Sequence, residues 1–472
     1  MAGASGVVDA VVVVPGIMGS ELVDTTSGDL IWRVRNPGWY TSAWTSGRAL
    51  RDLAITEDEL AGRSTRVKAT GLLRFPAFAP ILSGIEPYSQ LCARLRQVVA
   101  HPSAVLEFAY DWRLPVTVNG ACLTDAALVH LERWRNHEAV RGAGDEPKLV
   151  LVAHSMGGLL CRAATATPGF AEHIRATITL GTPFDGAAKA AVILNSGRGA
   201  PVPLPRRRLR ALAATLPGIH DLLPVYRSVE DGDHLRRLTP GDVERLGGDR
   251  ELAAAAFEMH GRGTSTRLVG HRALIGVDQP TVHGMRLRAG VVVPYRHTYP
   301  LDAQGEPVRD GEGALVRTPG AGDGTVPRNS ALPVGTAPVP LPQQHGSIAK
   351  TAEAIAFVSD CLRHGRSDIG PRLSGLGGIG ADVPDIVTAG VATPAALTGA
   401  APAAVTCVVR DAGTGAVVDH PPAVARNGRT QVSLTLPAPG LYRVEFHGGG
   451  SSPVTQLALA VSPDEGTGSG RV

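Results

Sequence analysis

The chain has 472 residues, 43% hydrophobic and 19% charged, which is enough apolar material for a sizeable core and too much for a globally disordered polypeptide. With 46 basic against 43 acidic residues the net charge is +3, without the asymmetry of a nucleic-acid-binding surface, so no nucleic acid is expected as a partner. No apolar run reaches the roughly 18–20 residues of a membrane span. The run nearest the start, Val11–Val14 with its neighbours, is closed by Asp9 before it and Pro15 after it, and it lacks the basic flank and cleavage site of a signal peptide. A cytoplasmic location is the expectation, with contact to a membrane surface at most peripheral.

From about residue 8 to 365 the pattern alternates between strands and helices. Short apolar, β-branched runs recur at Val11–Val14, Val105–Phe108, Leu149–Val152, Thr177–Leu180 and Leu274–Val277. Helical patterns lie between several of them, as at Tyr88–Val99 and Ala126–Arg135. Such alternation predicts an α/β fold, a mostly parallel sheet covered on both faces. Around Arg366–Gly380 the texture turns to Gly, Ser, Pro and Arg, the mark of a linker. Beyond it, short runs punctuated by Gly and Pro (Val405–Arg410, Gln431–Leu436, Leu441–Phe446, Gln456–Val461) predict a small all-β, immunoglobulin-like sandwich. The expected division is therefore 1–365 catalytic, 366–380 linker, 381–462 sandwich and 463–472 tail.

Gly375, Gly377 and Gly380 satisfy G-x-G-x-x-G, but that fingerprint binds a pyrophosphate only between a strand and a helix N-terminus. Here a Pro- and Ser-containing stretch precedes it and the strand-like Asp382–Thr388 follows, so the glycines read as linker. There is no Walker loop and no His-Glu-x-x-His helix. The five cysteines (Cys92, Cys122, Cys161, Cys361, Cys407) are scattered, odd in number and free of any C-x-x-C pair. Neither a disulfide framework, a metal nor a cofactor is expected.

The most informative stretch is Lys148-Leu-Val-Leu-Val-Ala-His-Ser-Met-Gly-Gly. An apolar strand runs into Ala153-His154-Ser155-Met156-Gly157, and a helical pattern continues to about Ala166. A serine at a strand–turn–helix reversal is the setting of a nucleophile elbow, which needs small residues two before and two after. Gly157 meets that demand fully and Ala153 less well. A serine hydroxyl needs a base to take its proton and a carboxylate to orient that base, in the order Ser…Asp…His for this architecture. Beyond position 323 the histidines are His345, His364, His420 and His447; the last two fall in the sandwich and His364 at the end of a helix predicted over Ser347–Leu362. His345 lies in the loop ahead of that helix, where a catalytic histidine belongs. Asp323, between Gly322 and Gly324, is the matching acid. Acyl transfer also needs backbone N–H groups aimed at the developing oxyanion. Met156, after the nucleophile, offers one, and Ile17, in the Gly-rich loop after Val11–Val14, is the candidate for the other.

Taken together, Pro15-Gly-Ile-Met-Gly-Ser20, Phe108-Ala-Tyr-Asp-Trp-Arg-Leu-Pro115, Ala153-His-Ser-Met-Gly-Gly158, Leu180-Gly-Thr-Pro183, Leu212–Pro224 with its Leu222-Leu-Pro, and Gly322-Asp-Gly-Thr-Val-Pro327 resemble the lecithin:cholesterol acyltransferase family. The resemblance spans about residues 10–360. It implies an α/β-hydrolase fold with an inserted cap, a triad of Ser155, Asp323 and His345, oxyanion donors Ile17 and Met156, and a lipid acyl donor such as a phospholipid. Ala153 departs from the common glycine, and no cysteine pair follows Ser20 where secreted members staple a lid loop.

Two regions could meet lipid. Ile31–Leu50 holds Trp32, Trp39, Tyr40 and Trp44, rings suited either to a membrane interface or acyl-chain lid or to a packed cap. Pro205-Arg-Arg-Arg-Leu-Arg210 reads as a solvated cap face, with anionic headgroups as the alternative ligand. Tyr110 and Trp112, flanking Asp111 and next to Arg113, line the pocket or buttress it. The expectation is a serine-dependent lipid acyl-ester hydrolase or O-acyltransferase working through an acyl-enzyme. A soluble small-ester or thioester esterase, and a catalytically silent scaffold whose sandwich contacts a protein partner, are the alternatives.

Overall fold

A computed structural model of the chain describes residues 6–32, 42–43, 46–73, 88–142, 144–198, 205–332, 337–365, 378–426, 428–449 and 452–462. Most of the expected linker (366–377), the expected tail (463–472) and the candidates Trp39, Tyr40 and Trp44 lie outside the described residues. At the centre is a six-stranded sheet of β1 (Ala10–Val14), β2 (Val105–Glu107), β3 (Leu149–His154), β4 (Ile174–Leu180), β5 (Arg272–Val277) and β6 (Val339–Pro342), in the order β6-β5-β4-β3-β1-β2. Every neighbouring pair is parallel. β1 and β3 are buried at every position, as strands covered on both faces must be, and their sequences AVVVV and LVLVAH are continuous rather than alternating. The edge strand β6 is one the sequence does not announce. Pro340 and Pro342 read as breakers, yet proline is tolerated on an edge, where one side of the strand needs no ladder hydrogen bonds.

Helices α1 (Ser89–Val98), α2 (Val116–Arg135), α3 (Gly157–Thr165) and α4 (Ala352–His364) cover the sheet, α2 packing on α3 and α1 on α4. α2 starts ten residues before the predicted Ala126. Its first turn, Val-Thr-Val-Asn-Gly, has poor intrinsic helix propensity. Tertiary contacts supply the difference: Asp221 accepts a hydrogen bond from the Val116 N–H at 2.7 Å, and Gly120 lets the helix press against Ala163 of α3. That cap comes from 105 residues downstream and is invisible to local reading.

Three insertions interrupt the alternation. A small antiparallel sheet (Ser20–Asp24, Leu30–Trp32, Val67–Leu72) follows β1, helices and a hairpin (Arg227–Asp231, His234–Arg237) lie between β4 and β5, and further strands lie between β5 and β6. Among the described residues no helix is long and apolar enough to cross a membrane. The five cysteines are unpaired.

The C-terminal part is a two-sheet sandwich of β7 (Gly380–Asp382), β8 (Ile386–Thr388), β9 (Thr393–Thr398), β10 (Thr406–Asp411), β11 (Val417–Asp419), β12 (Ala423–Arg426), β13 (Arg429–Leu434), β14 (Gly440–His447) and β15 (Val454–Val461). One sheet runs β7-β9-β13-β12 and the other β8-β15-β14-β10-β11. Between them lies a separate core that includes Leu434, Tyr442, Val444 and Phe446. The Tyr442 hydroxyl donates back to the Ala438 carbonyl at 2.9 Å, a tyrosine corner, and the strand order is compatible with an immunoglobulin-like sandwich. β9, β11 and β12 are strands the sequence reading passes over; the threonines of β9 (TPAALT) enclose a proline and two alanines, residues depleted in strands.

Candidate active site

The chain reverses sharply after β3. Ser155 sits at φ +52°, a left-handed backbone conformation that non-glycine residues seldom adopt. The reversal drives α3 straight into the end of β1: a Cβ added at Gly157 would lie 2.6 Å from the carbonyl oxygens of both Val14 and Pro15. Only glycine fits there. Gly16 is constrained the same way from the opposite side, since a Cβ on it would come within 2.8 Å of the Ser155 Cβ.

His345 Nε2 lies 2.8 Å from Ser155 Oγ, and His345 Nδ1 lies 2.7 Å from Asp323 Oδ2. With the Nδ1–H donating to the carboxylate, Nε2 is free to accept the serine proton. The other oxygen of Asp323 accepts the amides of Thr325 (3.0 Å) and Val326 (2.6 Å), so the tight Gly322–Pro327 loop fixes the carboxylate from behind. Asp323 is 1% exposed. The backbones are joined too, the His345 N–H donating to the Asp323 carbonyl at 2.7 Å. His345 does not lie in an open loop as expected but opens a 3₁₀ turn, His345–Lys350; Thr351 then caps α4, dividing the predicted helix in two. Lys189 donates from Nζ to the Gly324 carbonyl and the Thr325 hydroxyl, under the same loop. Burial pushes its ammonium down, opposed by the carboxylates of Asp385 and Asp323.

Met156 follows Ser155 at the start of α3, and Ile17 lies in the turn after Gly16, the residue that faces the Ser155 Cβ. Among the described residues neither backbone amide has an internal acceptor. The loop carrying Ile17 is held by buried hydrogen bonds. The Gly16 N–H donates to Tyr88 Oη (2.8 Å), Tyr88 Oη lies 2.9 Å from His154 Nδ1, and His154 Nε2 lies 3.2 Å from the His345 carbonyl. The only proton order that satisfies this chain has Tyr88 donating to Nδ1 and Nε2–H donating to His345. Burial, and then the neighbouring His345, hold the His154 imidazole down to about 3, so it stays neutral. Sequence reading passes over His154 and Tyr88. A histidine just before the nucleophile was the available signal; its partner lies 66 residues away.

Trp32, Tyr110 and Trp112 are packed behind this loop. Trp32 and Trp112 are each 1% exposed and meet edge to face at 5.4 Å, while the Tyr110 hydroxyl donates to the Pro15 carbonyl at 2.9 Å. For Trp32 the structure has the packed alternative rather than a ring presented to an interface. The Trp32 indole N–H donates to the Met18 carbonyl and that of Trp112 to the Ser20 carbonyl. Arg113, also buried, pairs with Asp111 and Glu59, and Glu59 pairs in turn with Arg66. Arg206–Arg210 falls on the helix Arg206–Ala213, with Leu209 inward and Arg206, Arg207 and Arg210 exposed. Among the described residues no group of three His, Cys, Asp or Glu side chains could hold a metal ion.

The lecithin:cholesterol acyltransferase family model matches residues 78–237. That segment contains α1, β2, α2, β3 with Ser155, and β4. No curated protein matches the chain. Among solved structures, the Tle4–Tli4 complex is similar at a TM-score of 0.50 and 16% identity, over 75% of this chain and 97% of that one. The mature Bacillus licheniformis lipase BlEst2 matches at 0.27 and 14%, over 74% and 88%, and phospholipase PlaB from Legionella pneumophila at 0.30 and 10%, over 95% and 89%. The fold is that of the α/β-hydrolases.

Proposed function

We propose that this chain is a serine acyl-ester hydrolase or O-acyltransferase whose acyl donor is a lipid ester. The observation that carries the proposal is the continuous Ser155 Oγ–His345 Nε2 and His345 Nδ1–Asp323 contact, at 2.8 and 2.7 Å, built on a serine with positive φ. The family match across residues 78–237 supports the lipid acyl donor. Residues 1–365 form the catalytic unit in this reading and 381–462 the sandwich.

Ser155 Oγ attacks the ester carbonyl as its proton passes to His345 Nε2, while Asp323 holds the imidazole tautomer and stabilises the resulting imidazolium. The amides of Ile17 and Met156 take the oxyanion. Collapse breaks the ester C–O bond, His345 gives its proton to the departing alcohol, and the acyl group remains on Ser155. Water or an acceptor alcohol, deprotonated by His345, then releases it.

The test is acyl release from phosphatidylcholine vesicles, with lysophospholipid followed by mass spectrometry. Wild type releases acyl chains, and Ser155→Ala loses on the order of 10⁶-fold in turnover. Added alcohol diverts the acyl group if the enzyme is a transferase. Vesicles left intact while a soluble ester is cleaved through Ser155 would overturn the lipid donor, and reaction with neither would leave a scaffold.

A further inference from the structure

His345 follows β6, an edge strand whose only neighbour in the sheet is β5. The catalytic unit therefore braces the base loop on one side. The other side is closed by the sandwich. Gln343, 1% exposed, donates from Nε2 to the Pro453 carbonyl at 3.0 Å, and its Oε1 accepts the Gln344 N–H at 2.9 Å and the Thr455 N–H at 3.4 Å. Gln344, immediately before His345, donates from Nε2 to Gln279 Oε1 (3.0 Å) and to the Ala381 carbonyl (3.2 Å). Gln279, 1% exposed as well, donates to the Ile379 carbonyl at 2.7 Å and accepts the Ala381 N–H at 3.1 Å.

Gln279 also reaches the acid. Its backbone N–H donates to the carbonyl of Gly322, next to Asp323, at 2.9 Å. Gln344 Oε1 lies so close to Gly324 that a Cβ there would meet it at 2.2 Å. One amide pair, Gln279 buried and Gln344 half-buried, thus touches the Asp323 loop, the His345 loop and the first strand of the sandwich. Past His345 the grip is repeated: Ser452 donates from its N–H (3.0 Å) and hydroxyl (2.7 Å) to the Glu353 carboxylate in the first turn of α4.

We propose that the C-terminal sandwich is a working part of the active site, a clamp that positions His345 through Gln279, Gln343 and Gln344. This rests on the reading of Ser155, His345 and Asp323 as the reacting groups. The sandwich atoms that meet these glutamines are backbone atoms, so the clamp depends on the sandwich being folded rather than on particular side chains. Gln279, Gln343 and Gln344 are positioning residues; none touches the reacting atoms. Their contribution follows from geometry, because moving a catalytic group by about 1 Å costs on the order of 10²-fold in rate.

The experiment uses the full chain with Gln279→Ala, Gln344→Ala and Gln344→Met, the last keeping side-chain bulk without its hydrogen bonds and serving if an alanine variant fails to fold. Amide exchange across residues 343–351 and kinetics on a soluble p-nitrophenyl ester are measured together. The variants should exchange faster in that segment, with β9 and β13 still protected, and lose about 10- to 100-fold in kcat at unchanged KM. Val424→Ala, on the exposed face of β12, should change neither. Wild-type exchange in the variants, wild-type kcat, or a rise confined to KM would overturn the clamp. Absence of Ser155-dependent turnover in wild type would instead overturn the proposed reaction, and exchange would still decide whether the sandwich holds the loop.

Discussion

The parallel sheet and the C-terminal sandwich bury their strands in different ways. β1 and β3 are closed over at every residue, whereas β13 alternates between exposed or half-buried and buried positions along Arg429–Leu434. A sheet covered on both faces leaves only its rim for chemistry, and at the C-terminal ends of its strands the Pro15–Ser20 loop, Ser155 and His345 gather. The sandwich buries one face of each sheet and keeps the others outside. It meets the same rim with β7, through Ala381, and with Ser452, Pro453 and Thr455 at the start of β15. In the proposed reading, chemistry comes from one architecture and part of the precision of its geometry from the other.

The comparison breaks most severely if the sandwich loses its own core. Phe446→Ala removes a fully buried ring, which should cost about 3–5 kcal/mol. Chemical denaturation should show the loss, and ester turnover should fall with it because the His345 loop loses its outer brace. A destabilised sandwich with undiminished turnover would separate the two regions. On the other side, Gly157→Ala pushes a methyl into the Val14 and Pro15 carbonyls and should cost about 1–3 kcal/mol in the denaturation midpoint. Turnover should fall with it as the Ile17 loop is displaced, and an unchanged midpoint would mean that α3 can back away from β1.

The smallest expected effect is one of pH, and it belongs to the catalytic unit. His154 and His260 are buried and held down to about 3 and about 4, so the unfolded chain takes up their protons first as pH falls below 6.5. Their contribution is fully present above that pH and is lost as pH falls toward about 4 for His260 and about 3 for His154. Asp221, pushed up to about 7 by burial, works in the opposite sense: the folded form keeps its proton where the unfolded form does not, which favours folding as pH falls. Asp221→Asn removes that offset but keeps an acceptor for the Val116 N–H. Between pH 7 and 5.5 the variant should therefore lose about 1–2 kcal/mol more stability than wild type. Equal slopes would show that Asp221 is ionised in the fold.

How much of this was legible in the sequence depended on where the cause lay. Ser155, Asp323 and His345 each carry a local mark: a strand running into a small-residue reversal, an aspartate between glycines, a histidine ahead of a helix. They could be ordered without any contact map, and the structure brings their side chains within hydrogen-bond distance. β6 was hidden by its prolines, and the start of α2 by a cap from Asp221. Gln343 and Gln344 carry no local mark, because their partners on the sandwich are backbone atoms far along the chain, Pro453 and Thr455 for Gln343 and Ala381 for Gln344. Trp32 stayed open between an interface ring and a packed cap because its partner Trp112 belongs to a different element.

The nucleophilic role of Ser155 is most directly tested by treating the full chain with a serine-directed fluorophosphonate, followed by intact mass and peptide mapping. One label per chain, on the peptide carrying Ser155, is predicted, absent in Ser155→Ala and greatly slowed in His345→Ala. No label on the folded wild type, or a label on another serine, would contradict it.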